Sequence, residues 1–93
     1  MIERVEGRLR VTAPMTIPNA DGLLEAGRSA FRGPQETVDL AAVTEVDSAA
    51  LAVLLGWLRA AGAAGLTLSV INAPAGLLAL ADLYGLDELI PFA

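Results

Sequence analysis

The chain has 93 residues, 55% of them hydrophobic, a formal net charge of −5, and neither cysteine nor histidine. That length suits one domain spanning residues 1–93, near the lower end of what folds without disulfides or metals. The missing residue types exclude disulfides, thiol catalysis, imidazole acid–base chemistry and nearly every zinc site. Six scattered arginines, with no lysine, face eleven acids. Nucleic acid needs a concentrated basic surface, so none is expected as a partner. With four aromatic side chains in all, Phe31, Trp57, Tyr84 and Phe92, the core must be aliphatic.

The first elements read as a hairpin. Ile2 to Val5 and Arg8 to Thr12 flank Glu6-Gly7, where glycine supplies the positive φ of a two-residue turn. In that register Glu3 faces Arg10 and Ile2 faces Val11. A start of Met-Ile-Glu-Arg-Val is strand-like and charged, unlike a signal peptide, and a cytoplasmic location is inferred. A helix follows from Pro18 to Phe31, with Thr16 as N-cap. Its buried stripe is Ala20, Leu23, Leu24, Gly27 and Phe31, and its wet stripe Asp21, Glu25, Arg28 and Arg32. Gly33-Pro34 stops it.

Thr37 to Ala41 is a short strand with Val38 and Leu40 on one side. The second helix runs from Ser48 to about Ala61, and Leu66 to Ile71 is another strand. The stretch from Ala60 to Ala81 lacks charge and is long enough for a membrane span. Strand-like alternation at Leu66, Leu68 and Val70, the turn Asn72-Ala73-Pro74 and three glycines argue against one. The last helix runs from Pro74 to Tyr84, with Gly85 as a left-handed cap and Leu86 folding back in a Schellman ending. Asp87 to Ala93 is a short tail. The order β-β-α-β-α-β-α implies an α/β domain with a four-stranded mixed sheet and helices mainly on one face.

Asp39 and Asp47 are the only carboxylate pair worth testing as a catalytic or metal site. Without a histidine, a third clustered acid or a glycine-rich phosphate loop, both read as structural. Ser48 reads as a helix N-cap. Leu51, Leu54, Leu55 and Leu58 of the second helix face the sheet, yet Ala49, Ala52, Val53, Gly56, Trp57 and Ala60 leave its other side nearly uncharged. Trp57 then packs under a loop or against the last helix, or it anchors a docking patch of small residues. The second reading is adopted, with Ser48, Ala49, Ala52, Val53, Gly56 and Trp57 as the partner interface. Trp57 is accordingly expected to lie partly exposed, and weak self-association through this helix fits the same reading.

The segment from Thr37 to Leu51, with Asp39-Leu40 ending a strand and Asp47-Ser48 opening a helix, resembles the signature of STAS domains. The element order agrees, as does the ending from Gly85 to Pro91, so the resemblance covers essentially the whole chain. It implies the fold of the anti-sigma factor antagonist SpoIIAA and a role in binding partners, with no enzyme activity, cofactor or metal. Within the family, Leu80-Ala81-Asp82-Leu83-Tyr84-Gly85-Leu86 is similar to the MlaB-like branch, the cytoplasmic STAS subunits of Mla-type phospholipid ABC transporters. Ser48 stands where that branch has threonine, and Ala49-Ala50 where it has small residues that include glycine. This branch implies a subunit that binds and supports the transporter's ATPase in phospholipid trafficking and outer-membrane lipid asymmetry. It would sit peripheral to the inner membrane through that partner, without inserting. The other branch implies an anti-sigma factor antagonist, phosphorylated on Ser48 by a serine-kinase anti-sigma factor.

Overall fold

In the computed structural model, which describes all 93 residues, Glu6 and Gly7 both take left-handed backbone angles, φ 52° and 79°. Two consecutive positive φ values give the turn whose twist matches a tight hairpin. Strand β1 (Ile2–Val5) therefore folds back on β2 (Arg8–Val11) in the expected register, Ile2 opposite Val11 and Glu3 opposite Arg10. Beyond the hairpin, β2 runs parallel to β3 (Gln35–Asp39), and β3 parallel to β4 (Thr67–Ile71). The result is a four-stranded mixed sheet in the order β1-β2-β3-β4. Parallel neighbours require crossovers, and α1 (Ala20–Ala30) and α2 (Ala49–Ala63) supply them, with α3 (Ala75–Leu83) following β4.

Several boundaries differ from expectation for local reasons. β3 ends at Asp39 because its carboxylate Oδ1 accepts the Ala41 N–H at 2.9 Å, turning the chain out of the sheet. The first helix begins with a 3-10 turn over Ile17–Asn19, and the Thr16 side chain caps nothing. α2 continues two residues past Ala61 to Ala63, where Gly65 and Leu66 N–H groups bond the Gly62 and Ala61 carbonyls. α3 closes as its sequence suggests. Gly85 is left-handed, its N–H bonds Asp82 and the Leu86 N–H bonds Ala81, the paired bonds of a Schellman ending. The last residues are more than a tail. Ile90 is buried, and Pro91 and Ala93 exchange hydrogen bonds with Val70, so this segment covers part of the outer edge of β4. No helix is long and apolar enough to cross a membrane.

Alternation sorts the sheet into two unlike faces. Leu9, Val11, Val38, Leu68 and Val70 are buried on one, and the buried residues of all three helices lie against that face in one core. Arg8, Arg10, Thr37, Asp39, Thr67 and Ser69 occupy the other.

Trp57 belongs to the core, contrary to the expectation of a partly exposed anchor. It is 0% exposed, its indole Nε1 donates to the Leu23 carbonyl at 3.0 Å, and its ring meets Phe31 edge-on at 6.4 Å. The slot that admits it is Gly27 on α1, where a Cβ would overlap the indole; Gly56 likewise makes room for Leu24. Val53 and Gly56 are buried with it. Two glycines in the α1–α2 contact let the helices approach closely enough to wrap the tryptophan.

One ion pair has its carboxylate inside and its guanidinium at the surface. Glu36, 4% exposed, accepts from both terminal nitrogens of Arg4 at 2.8 and 3.1 Å and from the Arg32 N–H at 2.8 Å. Arg4 also donates to the Ala30 carbonyl, so one ion pair ties β1, β3 and the end of α1 together. The arginine holds the Glu36 carboxyl at about 2, well below its ordinary 4.5.

Gly27→Ala should cost about 1–3 kcal/mol through overpacking. Gly62→Ala, in α2 with open space at its Cβ, should cost nothing and gain up to about 1 kcal/mol of helix propensity. Urea denaturation checks both. For Glu36, the unfolded chain binds a proton more readily than the folded one, so its stabilisation is complete above pH ~4.5 and fades as pH falls towards 2. The loss should be on the order of 2 kcal/mol, reduced because Arg4 is partly wet. Glu36→Gln should flatten the stability–pH curve in that window, read from melting temperatures between pH 2 and 5.

Candidate docking site at the start of the second helix

The start of α2 is held by Asp47. Its Oδ1 accepts the Ala49 N–H at 2.8 Å, satisfying one of the free donors of the first helical turn. Its Oδ2 accepts the Ile17 N–H at 3.1 Å, and its own N–H donates to the Met15 carbonyl at 3.2 Å. Met15 in turn bonds Glu45, so the loops after β2 and β3 run side by side up to the helix. Ser48 is not the capping side chain expected of it. Its backbone is already helical, φ −61° and ψ −20°, its hydroxyl makes no capping bond, and it is exposed. The capping role has moved one residue back, which leaves a free hydroxyl at the positive end of a helix of fifteen residues.

From Ser48 the outward ridge of α2 continues through Ala52 and Leu55 to Arg59. Beside it lies an open groove of about 500 Å³, lined by Ser48, Leu51, Ala52, Leu55, Tyr84 and Leu86. Five of those six are hydrophobic. Tyr84 is 58% exposed and its neighbour Leu83 75%, an unusual amount of apolar surface for the end of one helix. Ile17, 70% exposed, follows the other loop that Asp47 holds.

Of the residues proposed from the sequence, the structure brings Ser48, Ala49 and Ala52 to this surface, with Ala49 half-buried. Val53, Gly56 and Trp57 point the other way, into the contact with α1. Leu55 and Tyr84 were missed. A helix apolar on every side has no direction of its own, so its pattern could not say whether Leu55 or Trp57 faces out. For Tyr84 a signal existed: two large apolar residues, Leu83 and Tyr84, precede the Gly85 cap and cannot both turn inward.

The carboxylates Asp39 and Asp47 are both occupied by structural bonds. Asp39 accepts from the Asn72 amide at 3.0 Å and from the Ala41 N–H, and the Asn72 bond does most to hold its carboxyl below the ordinary range. Asp47 is engaged as described. No group of three or more metal-ligating side chains converges.

The sequence model of the family described as "Mlab, STAS domain" matches residues 2–91. The chain belongs to the STAS family. Solved structures share the fold over nearly all of this STAS domain. A protein of Thermotoga maritima assigned as an anti-sigma factor antagonist superposes with a TM-score of 0.77 at 18% identity, over 99% of this chain and 83% of that one. The anti-sigma factor antagonist SpoIIAA in its unphosphorylated form gives 0.73 at 14% identity, over 100% and 86%. A sulfate transporter family protein from Wolinella succinogenes gives 0.70 at 14%, over 89% and 71%. Identities this low speak for the fold alone. No curated protein is similar enough in sequence to match.

Asp47→Ala should destabilise the STAS domain by about 1–2 kcal/mol, because it strips the α2 cap and the tie to Ile17 together. Ser48→Ala should stay within about 0.5 kcal/mol of the parent. Equal losses for the two variants in thermal denaturation would contradict this assignment of the cap.

Proposed function

We propose that this STAS domain is a non-catalytic subunit of an Mla-type ABC transporter, docking on the transporter's ATPase and supporting phospholipid trafficking that maintains outer-membrane lipid asymmetry. The observation that carries the reading is the match of residues 2–91 to the STAS family described by the name Mlab. The geometry supports it in one respect. The surface at the start of α2 is largely apolar and its backbone is held by Asp47, which suits recognition of a protein surface. In this role the domain touches neither nucleotide nor lipid, lies on the cytoplasmic side of the inner membrane, and contributes by stabilising the ATPase it holds.

A second reading, an anti-sigma factor antagonist, is favoured by one specific observation. Ser48 presents an exposed, unbonded hydroxyl at a helix N-terminus, where a phosphate would be electrostatically tolerated. Phosphorylation there would leave the cap on Asp47 intact and would change only the surface a partner meets.

Affinity capture from the cells that make the protein, with bound chains identified by mass, separates the two. An ABC ATPase with Walker motifs is expected. Leu55→Asp should remain folded, being half-exposed, yet weaken capture by more than about 2 kcal/mol, roughly thirtyfold. Recovery of a serine-kinase anti-sigma factor, with phosphate on Ser48, would establish the second reading and sink the first.

A further inference from the structure

Charge is distributed unevenly along the chain, and the groove lies in the acidic part. Residues 1–32 carry five arginines against four acids, whereas residues 33–93 carry Arg59 alone against seven. The net negative charge of the domain therefore comes from the part that builds the groove. Two of those seven acids, Glu36 and Asp39, are bonded within the sheet, and Asp47 caps α2. The remaining four, Glu45, Asp82, Asp87 and Glu88, are exposed and make no ion pair or side-chain hydrogen bond. Asp82 lies across α3 from Tyr84 at helical spacing, whereas Asp87-Glu88 directly follow the lining residue Leu86, so two unpaired carboxylates adjoin the groove in the chain.

The groove's walls also restrict the form of what it holds. They consist of side chains from the start of α2 and from the turn that ends α3, and no strand contributes to them. An extended peptide laid there would find no strand edge to pair with, and its backbone groups would lose water without compensation. A helix satisfies its own backbone and needs only an apolar stripe.

We propose that the occupant of this groove is an amphipathic helix of the partner, with apolar residues at i, i+3, i+4 and i+7 and lysine or arginine beside them facing Asp87 and Glu88. This rests on the docking reading above and adds the chemistry of the partner's contact element. The apolar stripe fills the space between Leu51, Leu55 and Leu86, and Tyr84 closes one side. The basic residues meet carboxylates that nothing within the domain neutralises, which speeds and orients encounter. A second copy of the chain would bring the same acidic rim against itself, and an anionic membrane would be repelled by it.

The test uses the full chain and a labelled synthetic peptide of about fourteen residues, leucine at that spacing and lysine alongside, with a twin carrying glutamate for every lysine. Binding is read by fluorescence anisotropy at low and high salt, and the contact surface by amide chemical shifts. The lysine peptide should bind, move the resonances of Ser48, Ala52, Leu55 and Tyr84, and weaken as salt is raised. Leu55→Ser should weaken it about tenfold, and Asp87→Asn/Glu88→Gln should weaken it and flatten the salt dependence. The glutamate twin should not bind. Equal binding of the two peptides, shifts confined to the polar sheet face, or no binding of either would overturn the proposal. So would a dimer lost in Leu55→Ser, or flotation of the chain with phosphatidylglycerol vesicles. The same double variant separates this inference from the transporter reading. If the ATPase is captured equally well by the double variant, the inference fails and the transporter reading stands. If the lysine peptide behaves as expected and no ATPase is captured, the groove's chemistry stands and the transporter reading fails.

Discussion

The rest of the domain depends on how Trp57 seats in the notch that Gly27 leaves on α1. The indole is wholly enclosed, its one polar atom is bonded to the Leu23 carbonyl, and its edge meets Phe31. Burial of so large a ring, with its hydrogen bond satisfied, contributes several kcal/mol in a domain whose net stability is of similar size. More important for function, the contact fixes the roll of α2 about its axis. One residue of rotation is about 100°, enough to bring Trp57 towards solvent and carry Leu55 inward. The outward ridge of Ser48, Ala52 and Leu55 is thus decided on the opposite side of the helix.

Two polar devices fix the remaining freedoms of α2 and the sheet. Asp47 holds its first turn and pulls in the Ile17 loop, so the helix starts at a defined point and height. The Arg4–Glu36 pair reaches across β2 to link β1 with β3 and the end of α1, and the Asp39–Asn72 bond ties the ends of β3 and β4. An ion pair with one partner at the surface is weak support for stability as such, since water screens the attraction and burial of the carboxylate opposes it. Its effect here is to specify register and position. With the supporting acids committed to backbone and partner groups, the surface above them is left with one free hydroxyl and an apolar groove, beside which Asp87 and Glu88 follow Leu86 unpaired. That combination suits recognition of another chain better than turnover of a small molecule.

Much of the architecture is legible in sequence because its causes are local. Glu6-Gly7 dictates a tight turn whatever surrounds it, and the turn length sets the pairing of Ile2 with Val11. Gly85 followed by Leu86 ends α3 through bonds that span five residues. Alternation across Leu66 to Ile71 is enough to separate a strand from a membrane span. These features place the start of α2 and the resemblance to STAS domains within reach of reading alone.

What only the tertiary structure decided are pairings between residues far apart in the chain. Trp57 was read as exposed because its partner, a missing side chain at Gly27, lies thirty residues away, and a glycine in a helix does not declare what will fill the space above it. Asp47 and Ser48 are adjacent and both able to cap. The choice fell to Asp47 because its second oxygen reaches Ile17, a loop that the fold brings alongside. The tail, likewise, covers an edge that exists only after β4 has joined the sheet. Period and turn chemistry act over a few residues and survive in any context, whereas the face that an all-apolar helix turns to solvent is set by which neighbour has room for it.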